Sequence, residues 1–164
     1  MKHIRLISLF LFMVVASTLS GCGGEPTLEK AIIGTWVQET PTSTTNAGLQ
    51  TLTAGTVLRL KKNGETHLTR NLDVTGQGLP ETGIRVTVEL KGQWELIDGQ
   101  LKQTPSSVII MPRESDTLSR EWSDELQGQA EKSPASFKTV IVADKKQLIL
   151  QDVNLGTTDV YRRK

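Results

Sequence analysis

The sequence predicts an all-β domain: an antiparallel sandwich or barrel of about eight or nine short strands, with one helix. Three observations point there. Twenty threonines, nearly all after residue 22, are a heavy load of a β-branched residue suited to pleated, half-buried surfaces. Apolar and polar residues alternate in short runs, the period of a strand with one buried face. Tight-turn pairs separate the runs, with Asn63-Gly64 and Asp98-Gly99 as the clearest hairpin signals.

The chain opens differently. Lys2 and Arg5 form a positive head, followed by the apolar run Leu6 to Leu19. That is the pattern of a secretory signal peptide, and the run is shorter than the ~20 residues that span a bilayer as a helix. It closes on Leu19-Ser20-Gly21-Cys22. These four residues resemble the lipobox of bacterial lipoproteins, in which small residues let a peptidase close on the bond before Cys and the thiol takes a diacylglyceryl group. The resemblance implies cleavage between Gly21 and Cys22, with Cys22 as the lipidated N-terminus. Anchoring would follow from burial of acyl chains, worth about 0.8 kcal/mol per CH₂, with two chains or more needed to hold stably. Gly23 stands where Asp favours inner-membrane retention in such proteins, so an outer-membrane location is implied. The organisation expected is a signal peptide over 1–21, the lipidated Cys and a short tether over 22–30, and one barrel domain over 31–164.

The strands are read in order. Ala31–Glu39 is the first, and Thr56–Lys61 and Thr66–Leu72 flank Asn63-Gly64, which suits a type I′ turn. Ile84–Leu90 alternates cleanly, with Ile84, Val86, Val88 and Leu90 on one face. Gln93–Ile97 and Leu101–Thr104 flank Asp98-Gly99. Ser107–Met111 continues past Pro105, which calls for a bulge or an edge. Phe137–Ala143 and Gln147–Val153 form another hairpin, and Thr158–Arg162 closes the chain. Thr40–Thr53 and Val74–Thr82 read as long loops. About 115–132 the period changes: Leu118, Trp122, Leu126 and Ala130 recur every fourth residue along one helix face. Ser115 caps its start, Asp116 suits its dipole, and Ser133-Pro134 stops it. Such a helix covers a barrel end or sheet edge, or forms a lid over a cavity.

Several function classes are disfavoured. The formal net charge of +1 becomes −1 once Lys2 and Arg5 leave with the signal peptide, so no broad basic face awaits nucleic acid. One Cys excludes an internal disulfide, and two His with one Cys leave no zinc set. No Gly-x-Ser-x-Gly elbow, calcium loop or phosphate-binding glycine loop is present. His67 reads as a solvent-facing strand residue, and Glu89 and Glu95 as cross-strand surface partners of bases such as Arg85 and Lys91. No enzymatic activity, cofactor or metal is expected.

A second resemblance covers roughly 31–103 and 137–163. Ile33-Gly34-Thr35-Trp36 looks like the Gly-x-Trp opening of lipocalin-like barrels. Gly92-Gln93-Trp94-Glu95 with Asp98-Gly99-Gln100-Leu101 resembles the middle hairpin of small bacterial lipocalin-like lipoproteins, and Val160-Tyr161-Arg162-Arg163 is similar to their closing strand. The resemblance implies a small antiparallel lipocalin-like barrel of about eight strands, with the helix as an inserted surface element. It also implies that Trp36 plugs the closed end and that Arg162 or Arg163 lies over it.

The leading expectation is a lipid-anchored, non-enzymatic module for a small apolar ligand, with Trp94, Ile84, Val86, Val88 and Leu90 lining its interior. The rival is a structural or protein-interaction lipoprotein with a filled core, holding an envelope protein by the Leu118/Trp122 face. An envelope hydrolase inhibitor is a weaker form of that rival.

Overall fold

A computed structural model describes residues 27–132 and 134–164. The signal peptide expected over 1–21, Cys22 and Gly23 all lie outside the described residues. Leu28–Ile32 forms a short helix, α1, built of helix formers, where a strand was expected to begin at Ala31. Its turn aims Ile32 into one end of the barrel, where Ile32 is fully buried and its carbonyl accepts from Trp36 Nε1 at 2.7 Å. Strand β1 then runs only over Gly34–Gln38.

The remaining elements are β2 (Thr42–Asn46), β3 (Leu49–Leu60), β4 (Glu65–Gly76), β5 (Ile84–Ile97), β6 (Gln100–Pro112), helix α2 (Thr117–Ala130), β7 (Ser136–Ala143), β8 (Gln147–Asp152) and β9 (Thr158–Arg163). All pairings are antiparallel, in the order β1-β9-β8-β7-β6-β5-β4-β3-β2, and β1 also pairs with β3. That second pairing closes eight strands into a barrel and leaves β2 as the extra strand. β1 covers β3 from Val57 to Leu60, and β2 covers it from Leu49 to Thr53, so the two are one edge broken at residues 39–41. Pro41 sits in the break, where its missing N–H costs no ladder bond.

Two segments expected as loops are therefore partly strand. Thr40–Thr53 holds β2, a turn and the start of β3, while β4 runs on to Gly76 through Val74. The turn at Ala47-Gly48 has positive φ at both residues (49° and 78°), as does Asp98-Gly99 (49° and 78°), and both fit type I′. Asn63-Gly64 does not: only Gly64 has positive φ, at 83°. Gly64 N donates to Lys61 O at 3.0 Å and Lys61 N to Glu65 O at 2.9 Å, which closes the hairpin with one left-handed glycine rather than two left-handed residues.

β5 and β6 are continuous through the places where the sequence suggested separate strands. Their register shifts where Lys91 faces Ser107 and Gly92 faces Pro105, so Ser106 is the extra residue of a bulge. A Cβ on Gly92 would meet the Thr104 carbonyl oxygen at 2.1 Å, so the crossing needs glycine.

Packing divides the interior. One end is filled by Ile32, Trp36, Leu58, Leu60, Trp94, Leu101, Leu148 and Tyr161, all nearly inaccessible. A second cluster, Ile84, Val86 and Val88, packs with Leu72, Leu79, Val108, Ile110 and Trp122. Helix α2 starts at an Asp116 cap whose carboxylate accepts from Ser119 N at 2.8 Å; Ser115 is not the cap.

Candidate ligand-binding cavity

β6 and β7 stay paired only over Gln100–Gln103 and Ser136–Thr139. Beyond Gln103 the two strands part, and α2 lies across the opening. Its Gln127 side chain takes the place of a neighbouring strand: Nε2 donates to Val108 O at 2.5 Å, and Oε1 accepts from Ile110 N at 2.8 Å. One amide group thus satisfies a carbonyl and an N–H on the free edge of β6.

Behind the helix lies a cavity of about 450 Å³. Its apolar wall includes Leu68, Leu72, Val88, Leu90, Val108 and Ile110, and Leu126 and Ala130 of α2 close it. A lobe of about 200 Å³ adjoins it on the β2 and β9 side, lined by Thr42, Thr53, Asp159 and Tyr161. Leu68, Arg70, Leu72, Lys138, Asp152 and Leu155 face both spaces.

The polar groups come from strand positions in phase with apolar ones. On β4, Thr66, Leu68, Arg70, Leu72 and Val74 share the inward face. Asp152 follows Leu148 and Leu150 on β8, and Asp159 precedes Tyr161 on β9. Most of these groups are matched. Lys138 Nζ lies 2.5 Å from Asp159 Oδ2, with the two side chains only 15% and 14% exposed. Thr42 Oγ1 donates to Asp159 Oδ1 at 3.0 Å and accepts from Gln38 Nε2 at 2.7 Å, while Gln38 Oε1 accepts from Thr56 at 2.7 Å. Gln103 Nε2 donates to Thr66 Oγ1 at 2.9 Å. Asp152 Oδ1 accepts from the backbone of Asn154 and Leu155, at 2.9 Å each.

Arg70 is the exception. Its Nε is buried without a hydrogen-bond partner, and it makes no ion pair among the described residues. Burial pulls its pKa down, against the pull of Tyr161, Asp159 and Asp152. An arginine guanidinium is not deprotonated in proteins, so the cavity holds a cation. Burial also pushes the Tyr161 phenol far up, helped by Asp159 and opposed by Arg70.

The structure sorts the residues proposed from sequence. Val88 and Leu90 line the cavity. Ile84 and Val86 are sealed in the second cluster, and Trp94 belongs to the packed end, with Nε1 donating to Lys61 O at 2.9 Å. Trp122 packs on the second cluster, and Leu118 is 37% exposed. Trp36 plugs the closed end. Of the two arginines, Arg163 lies over it, 4.4 Å from the ring centroid, and also donates to Ile33 O at 3.1 Å and Ala31 O at 2.8 Å. Arg162 faces outward, opposite Val37. Arg70, Lys138, Asp152 and Asp159 were missed. Their signal was present: Leu68-x-Arg70-x-Leu72 puts a charge in the apolar phase of a strand.

Among the described residues no group of three or more His, Cys, Asp or Glu is placed to hold a metal ion, and no helix is long and apolar enough to cross a membrane. Fold and site together define a closed eight-strand antiparallel barrel, packed at one end and hollow behind a helix. Neither a scan against protein-family models nor a search of the curated proteins returns a match to this chain.

Proposed function

We propose that this is a lipid-anchored protein of the bacterial envelope, most consistent with the outer membrane, whose barrel binds a small apolar or amphiphilic molecule without transforming it. The observation that carries the binding role is the cavity of about 450 Å³, a volume typical of small-molecule sites, with a mainly apolar wall and few polar groups. A filled-core interaction protein would leave no such space. The anchoring half rests on Leu19-Ser20-Gly21-Cys22, with Cys22 as the acylated residue.

Trp122 offers a direct readout. It packs in the cluster that includes Val88, Val108 and Ile110, three residues of the cavity wall, whereas Trp36 and Trp94 sit in the packed end. Titration of the full chain in zwitterionic nanodiscs with medium-chain alcohols should shift the tryptophan emission saturably, and Trp122→Phe should abolish the shift. A titration flat across the alcohol panel and with decanoate alike contradicts the binding role.

A further inference from the structure

The geometry points to a ligand with an anionic head group, a carboxylate or a similar oxyanion, seated on Arg70 with its apolar tail along Val88, Leu90, Val108 and Ile110. This rests on the binding role proposed above and specifies its ligand class. We infer it from an accounting of charge inside the barrel.

Four ionisable side chains other than Tyr161 face the two spaces: Arg70, Lys138, Asp152 and Asp159. Asp159 spends one oxygen on Lys138 and the other on Thr42. Asp152 turns an oxygen to the backbone of its own loop. Lys138 is taken by Asp159. Among the described residues Arg70 alone of the four has no hydrogen-bond or ion-pair partner, and its Nε is buried. A buried cation is costly unless it is paired and hydrogen-bonded, and a guanidinium presents a planar fork that fits a two-oxygen anion. The fork stands where the two spaces meet, with Leu68 and Leu72 on either side along β4. A head group there leaves the larger space for a tail of about ten carbons. The uncharged alternative, water alone on Arg70, would leave binding indifferent to head-group charge.

The test is calorimetry on the full chain in zwitterionic nanodiscs, with empty nanodiscs as the blank. Decanoate, decanol and decyltrimethylammonium are titrated separately, and acetate is added as a competitor. The expected order is decanoate tightest, about tenfold to a hundredfold over decanol, the span of a charge-assisted hydrogen-bond pair. The ammonium amphiphile should be weakest, and acetate should not displace decanoate at matched concentration. Arg70→Met should bring decanoate down to the level of decanol while decanol binding holds. Asp152→Asn, which removes a negative charge lining both spaces with Arg70, should tighten decanoate severalfold, and it serves as the test if the Arg70 variant fails to fold.

Equal binding of all three amphiphiles overturns the inference and leaves the binding role standing. So does a decanoate preference that survives Arg70→Met, or an Asp152→Asn variant with unchanged decanoate affinity; displacement by acetate would show that the head group alone binds and would overturn the apolar tail site with it. Absence of binding by decanol and decanoate alike overturns the binding role itself.

Discussion

Arg163 ties three pieces of the closed end together. Its guanidinium covers the face of Trp36 and reaches two carbonyls of the α1–β1 segment. Gly34 makes room for it: a Cβ there would sit 2.9 Å from Arg163 Nη1. Arg163→Ala should destabilise the barrel by about 1–2 kcal/mol, the sum expected of an exposed cation–π contact and hydrogen bonds to backbone. Arg163→Lys, which retains charge over the ring but not the fork, should fall between the two in denaturant midpoint. Wild-type stability in the alanine variant would contradict this role. The Trp36 plug was legible in the sequence through Gly34-x-Trp36, but the choice between Arg162 and Arg163 was not. Strand phase decides it, because Tyr161 points inward and Arg163 shares its face. The charged cavity was legible only in part. Arg70 stands in the apolar phase of its strand, but its meaning depends on Lys138, Asp152 and Asp159, which line the same spaces from strands remote in sequence.

Between elements, the decisive contact is that of α2 with β6. One side-chain amide, Gln127, satisfies a carbonyl and an N–H on an edge that no strand covers. Gln127→Ala strips both at once and should cost about 1–3 kcal/mol through unsatisfied backbone groups. Amide hydrogen exchange at Ile110 should accelerate with it, ahead of exchange in β8. Unchanged protection at Ile110 would show that the helix covers the edge without this amide. The four-residue period of Leu118, Trp122, Leu126 and Ala130 made α2 and its covering role readable in advance. Gln127 was not readable, since a polar residue on a helix carries no mark of its partner. β2 escaped notice for a related reason. Thr42 faces the polar belt of the interior, so the strand lacks the apolar alternation by which others were found. In α1, Ala31-Ile32-Ile33 continues the apolar run of β1, and only the tertiary position of Ile32 at the closed end separates the two.

As a whole the molecule is a barrel of unequal halves. Large side chains pack the end near Trp36, and the half under α2 is open inside. A chain only 37% apolar over its full length has limited means to fill an eight-stranded ring, and the inward polar residues Arg70, Gln103, Lys138 and Asp159 occupy wall that a filled core would give to leucine. The proposed binding role rests on the same unequal division, because only a hollow half admits a guest. The most direct measurement is mass spectrometry of the protein extracted from the envelope, under native and then denaturing conditions. The expected result is a chain beginning at Cys22 with a covalent lipid mass on that residue, and a non-covalent guest that departs on denaturation. An unmodified Cys22 together with an empty barrel would contradict it.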